Sequence, residues 1–128
     1  MTILTKGLVD YLEEEGIGAF GEDLYVGTRP SSPINCVTLY DTGGFIPRKD
    51  DTSDPTVQII TRNKSYPVAN EKALGVHDLL KEKYNFWLVN DEIWVLQSEA
   101  QGEPGRIGRD ENGNYLFSAN YRLWVKYY

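Results

Sequence analysis

Residues 55–84 read PTVQIITRNKSYPVANEKALGVHDLLKEKY, and the hydrophobic period changes once within them. Val57, Gln58, Ile59, Ile60 and Thr61 are mostly β-branched, which suits a half-buried pleated surface and predicts a strand. Beyond Arg62, Ala69, Ala73, Val76 and Leu80 recur at spacings of four, three and four, which places them on one helical face. Leu79 widens that face, while Asn70, Glu71, Lys72, Asp78, Lys81 and Glu82 point elsewhere. Ser65 is in position to cap the helix, and Pro67 falls in the first turn, where its missing N–H costs nothing. Pro67 and Gly75 are poor helix formers, so the helix is weak in isolation. A strand that feeds an amphipathic helix buries both apolar faces together, so this helix is expected to lie across the sheet to which the strand belongs.

Upstream, residues 2–15 predict a first helix with Ile3, Leu4, Leu8, Tyr11 and Leu12 on one stripe and Gly16 as its stop. Glu13, Glu14 and Glu15 sit at its C-terminal end, where the helix dipole disfavours negative charge. They form either a solvated end or an acidic contact surface for a partner. Residues 23–26 predict a short strand and TRPSSP, residues 28–33, a loop. NCVTLYD, residues 35–41, alternates in the manner of a strand that pairs near residues 56–61. The segment TGGFIPRKDDTSDP that follows has no strand or helix period, and loops of this length are usually functional or mobile. Phe45 and Ile46 are its only apolar residues, either folded back on the domain or held for a partner.

Downstream, residues 86–89 and 92–99 predict a hairpin turned by Asn90 and Asp91. Residues 100–114, AQGEPGRIGRDENGN, read as a second long loop that ends in an Asn112-Gly113 turn. The last strand alternates Tyr115, Phe117, Ala119, Tyr121, Leu123 and Val125 towards a core with Leu116, Ser118, Asn120, Arg122 and Trp124 on the other side. The expected class is α+β: one mixed, mostly antiparallel sheet packed against two helices, with long loops.

The 128 residues suffice for one domain, expected to span 1–128. A hydrophobic fraction of 41% and a charged fraction of 25% are globular values. The net charge of −6 argues against a surface built to neutralise nucleic-acid phosphates. The single cysteine, Cys36, fits synthesis in a reducing cytosol. The start of the chain lacks an apolar leader pattern and no membrane span is evident, so retention in the producing cell is expected.

Catalytic chemistry finds little support. His77 is the only histidine and has no second ligand at metal spacing, which favours a structural role. Cys36, inside a strand, reads as a small buried hydrophobe. Phosphate-loop, dinucleotide and calcium-loop patterns are missing. Asp50, Asp51 and Asp54 together are more readily a solvated acidic loop than a cation site. No enzyme, cofactor or metal site is expected.

Three segments carry a resemblance: EDLYVGTRPSSPINCVTLYDTGG, PTVQIITRNKSYPVANEKALGVHDLL and VLQSEAQGEPGRIGRDENGNYLFSANYRLWV, preceded by the leading helix. In this order they resemble the minor capsid protein family of tailed bacteriophages, whose members are tail terminators or head-tail joining components. The resemblance implies a ring-forming subunit, a hexamer in the family. It would cap the tail tube, end its polymerisation and meet the head-completion protein of the neck. The implied partners are other copies, the major tail tube protein and the neck protein, and DNA would pass through the channel without specific binding. The implied location is the tail-neck junction of the virion, after synthesis in the host cytoplasm. The alternatives are a head-completion or minor capsid protein at the portal side of the neck, or a small cytosolic binding domain without a virion role. Candidate assembly contacts are Phe45, Ile46, Arg48, Lys49, Arg106, Arg109 and Trp124. The loop from Thr42 to Asp54 is expected to be mobile in the free subunit and to order on assembly, because it holds too little apolar area to offset its ordering entropy.

Overall fold

The period change after Thr61 does separate a strand from a helix. In the computed structural model, which describes residues 3–46 and 48–128, β3 spans Pro55–Asn63 and α2 spans Tyr66–Leu80. The Ser65 hydroxyl accepts the Val68 N–H at 3.4 Å, and Pro67 occupies the first turn, so the helix starts as its sequence dictates. Ala69, Ala73, Val76 and Leu80 are buried. The helix ends sooner than the periodicity suggests. Lys81 caps it, and Glu82 already opens β4, Glu82–Val89.

The remaining elements are α1 (Leu4–Glu14), β1 (Leu24–Val26), β2 (Cys36–Gly44), β5 (Ile93–Ala100), β6 (Gly105–Arg109) and β7 (Tyr115–Tyr127). The seven strands form one sheet in the order β1-β2-β3-β7-β5-β4, and β6 pairs with the start of β7. Only the β1–β2 pair is parallel, so the sheet is mixed and mostly antiparallel. Its two ends, β1 and β4, do not pair with each other, and it stays open.

Both helices pack on one face. Leu8 and Leu12 of α1, Val76 and Leu80 of α2, and Val57, Ile59, Tyr121, Leu123 and Val125 of the sheet share one core. The residues expected on the core side of β7 are those that point inward, and Tyr115 alone among them is half-buried. α2 lies over β3 and β7, while α1 touches β1 and β2 at one end of the sheet and β4 at the other. Gly7 permits that last contact, because a Cβ there would lie 2.8 Å from a Val89 methyl. The sheet therefore curves around its helices.

Four sequence readings change. Ile3 is 65% exposed and precedes α1, with Val9 and Thr5 completing the buried stripe, and Thr2 lies outside the described residues. Glu13 has a use at the helix end, where its carboxylate accepts the Phe20 N–H at 3.0 Å. The segment after Asp41 is shorter than it reads, since β2 continues to Gly44 and β3 begins at Pro55. Finally, GRIGR within the expected 100–114 loop is strand β6, because pairing with β7 outweighs the low strand propensity of its glycines.

Candidate functional site

Two loops lie on parts of the sheet face away from the helices, and both are fastened by polar side chains. Arg62, buried at the end of β3, donates to the carbonyls of Ile34 at 2.7 Å, Pro33 at 2.9 Å and Pro30, which holds the 27–35 loop over Cys36 and Thr38. Cys36 is accordingly a buried free thiol.

The second cover is the segment 45–54. Asp54 is 5% exposed and takes Arg48 Nε at 2.6 Å and Arg122 Nη2 at 3.4 Å. Burial pushes its carboxyl upward, but the hydrogen bonds and charges of Arg48 and Arg122 together outweigh that and hold it below the usual carboxylate range. Trp124 Nε1 donates to the Thr52 hydroxyl at 2.8 Å, and the Arg48 guanidinium lies 4.5 Å over the Trp124 ring. The backbones of Ser53 and Val125 exchange two hydrogen bonds of 2.9 Å. Phe45 folds back, with the Arg122 guanidinium 4.0 Å from its ring centre, yet remains 49% exposed. Ile46 does not fold back and is 88% exposed. Lys49 is exposed in the turn, and Pro47 lies outside the described residues.

This arrangement brings Phe45, Arg48 and Trp124 together around Asp54 and Arg122, neither of which stood among the candidate contacts. It also revises one expectation. Asp54 is a buried ion-pair partner and not part of a solvated acidic loop. The segment expected to be loose is hydrogen-bonded near both its ends, at Phe45 and Ser53, while residues 42–46 and 48–51 are exposed.

Arg106 and Arg109 belong to a different place, at the far end of β7 on the helix side. The Arg106 guanidinium lies 5.7 Å from the Tyr66 ring centre and 5.6 Å from that of Tyr115, and Arg109 is 4.7 Å from Tyr115. Tyr66 and Tyr115 meet edge to face at 5.4 Å. Asp110 closes the neighbouring turn. The side chain and then the backbone of Asn114 hold its carboxyl below the usual range. Between the two arginines, the register of β6 shifts against β7 and Ile107 is left 56% exposed. Trp124 and Tyr115 stand at opposite ends of β7, about 30 Å apart at roughly 3.3 Å per residue.

His77 is buried, with Nδ1 3.0 Å from the Tyr121 hydroxyl and Nε2 3.3 Å from a carboxylate oxygen of Glu103. Burial pushes the Tyr121 hydroxyl far above its ordinary range, so the group stays protonated and serves as a hydrogen-bonding post between α2 and β7. Among the described residues, no three His, Cys, Asp or Glu side chains converge on a point that would hold a metal ion. No helix there is long and apolar enough to cross a membrane.

The family model described as "Bacteriophage tail terminator protein" matches residues 11–127. The chain belongs to that family. It is therefore a structural component of a phage-like virion and not a member of a known enzyme class. No curated protein matches it at a significant level of sequence similarity. Among solved structures, a chain of the virion of a native gene transfer agent particle shares the fold. The TM-score is 0.62 at 14% identity, with 97% of this chain and 98% of that chain covered. The shared fold thus extends over nearly the whole length of both chains.

Proposed function

We propose that this tail terminator forms a ring on the end of the tail tube, stops tube growth and presents a surface to the head-completion protein of the neck. The observation that supports this most is the family match over residues 11–127. Physical features agree with it. A ring requires heterologous contacts in which one surface of each subunit meets a different surface of the next. This subunit carries chemically distinct surfaces at its two ends, one around Phe45, Arg48 and Trp124 and one around Arg106 and Arg109. A net charge of −6 suits a channel through which DNA slides without sticking. In this reading, Ile46 and the half-exposed ring of Phe45 are desolvated against the tube protein, and each contributes up to about 1.5–3 kcal/mol to association.

The test is polymerisation of the tail tube protein with and without this chain, followed by electron microscopy. Tubes of limited length with an added density at one end are the expected result. Tubes that grow unchanged, or binding of the chain to tailless heads instead, would replace the reading with the head-completion role.

A further inference from the structure

Two surfaces on opposite flanks of α2 differ in shape and in the charge they present, one convex with two exposed arginines and the other concave with an acidic rim. At about 100° per residue, Tyr66 and His77 lie on one flank of the helix and Val68, Lys72 and Gly75 on the other, with the buried stripe between them. On the first flank stands a knob formed by residues 106–109. Ile107 projects 56% exposed from a β-bulge and is flanked by Arg106 and Arg109, whose guanidinium groups are propped on Tyr66 and Tyr115. Among the described residues neither arginine has a carboxylate within ion-pair distance. The aromatic rings, and for Arg109 also the Gly113 carbonyl that accepts its Nε–H at 3.1 Å, hold the side chains in place, so little rotamer freedom remains to be lost when they meet an anion.

On the second flank lies a groove of about 420 Å³ between the end of α1 and α2, lined by Gly16, Ile17, Val68, Glu71, Lys72 and Gly75. Its floor is apolar. Val68 is 44% exposed, and Gly75 supplies room beside Ile17. Its rim is acidic, with exposed Glu71 on α2 and exposed Glu14 and Glu15 just before Gly16. The one cation in the groove, Lys72, is already committed to the Ile17 carbonyl at 2.7 Å. The C-terminus of α1 adds its dipole to the same negative field.

We propose that the occupant of this groove is the Ile107 knob of a second copy of this chain, with Arg106 and Arg109 meeting Glu15, Glu71 and the carbonyl end of α1. The inference rests on the ring reading and supplies its joint. Knob and groove lie on different flanks, so the contact is head-to-tail and repeats from copy to copy. It also gives a purpose to the glutamates placed against the α1 dipole, where they cost stability in the isolated subunit.

Sedimentation velocity over a concentration series, with and without tail tubes, tests it on four chains: wild type, R106E/R109E, E15K/E71K and the four-site combination. Urea midpoints near wild type establish that each is folded. Wild type is expected to associate, each charge reversal alone to raise the apparent dissociation constant at least about a hundredfold, and the combined chain to recover most of the loss, since its knob and groove are opposite again. An Ile107→Ser chain should also be weakened without any change of charge. The joint is overturned if the single reversals associate like wild type, while capping by wild type would leave the ring reading intact. It is likewise overturned if R106E/R109E associates normally but no longer caps tubes, which would turn the knob towards the tube protein. Loss of binding to duplex DNA in that variant alone, with association unchanged, would assign the arginines to DNA. A wild-type chain that stays monomeric even on tail tubes overturns both readings.

Discussion

The two faces of the sheet are covered by different means. On the inner face, α1 and α2 bury aliphatic side chains against Val57, Ile59, Leu123 and Val125 in a continuous core. On the outer face, the 27–35 loop and the 45–54 segment are held by Arg62, by Asp54 between Arg48 and Arg122, and by the Trp124–Thr52 hydrogen bond. The inner cover is non-directional and strong in sum, whereas the outer one depends on a few directional contacts that salt, acid or a single substitution can release. The difference assigns stability to one face and adaptable surface to the other.

The largest effect is expected on the inner face. Leu80 is fully buried, and Leu80→Ala should lower stability by about 2–5 kcal/mol in urea melts. A loss under about 1 kcal/mol would mean that α2 is not the main cover, and the contrast between faces would fail.

An intermediate effect is expected at Asp54. Asp54→Asn removes a charged acceptor shared by two partly exposed arginines, so a loss of about 1–3 kcal/mol at neutral pH is expected. The pH dependence sharpens the comparison. The folded-state carboxyl is held below its ordinary value, so its contribution is complete above the unfolded pKa near 3.9 and fades as pH falls through that value towards the folded one. Wild type should thus lose urea resistance from about pH 5 downward more steeply than Asp54→Asn. Equal acid limbs would show that the outer cover does not depend on this pair.

The smallest effect on stability is expected at the tip of the outer cover. Changing Phe45 and Ile46 together to Ser should shift stability by less than about 1 kcal/mol, since one is half-exposed and the other almost fully so. Tube capping should nevertheless be lost. Hydrogen exchange in the free chain should be fast around residues 46–51 and slower at Phe45 and Ser53, whose amides are bonded to Asp54 and Val125. A sharp fall of the urea midpoint would place both residues in the subunit's own core and return the contact surface to residues 102–113.

The same division explains what could be read from sequence. Strand β3, helix α2 and the inward side of β7 are visible because burial on the inner face imposes a period, and Ser65 and Pro67 announce the helix start. The outer cover leaves no period. Asp54, Arg48 and Arg122 are ordinary surface residue types whose meeting depends on the pairing of β3 with β7, which sequence spacing does not encode. Strand β6 is hidden for a related reason, because Gly105 and Gly108 dilute a strand that exists through its partner. Of the candidate contacts, Phe45, Ile46, Arg48, Lys49, Arg106, Arg109 and Trp124 were recognisable as charged or apolar residues on loops or outward strand positions. Tyr66 and Tyr115, which aim the arginines, were not, since nothing in the sequence places one beside the other.

The contact of α1 with both ends of the sheet also has a consequence in time. Gly7 rests against Val89, about eighty residues further along the chain, and synthesis at roughly 5–20 residues per second separates the two by about 4–16 s. During that interval, the apolar stripe of Leu4, Leu8 and Leu12 has been made, but the strand that completes its cover has not. The nascent helix is marginal by length alone, at 11 residues. Docking of β4 on α1 is therefore a late, long-range event, and the core that both helices share is incomplete until it has happened.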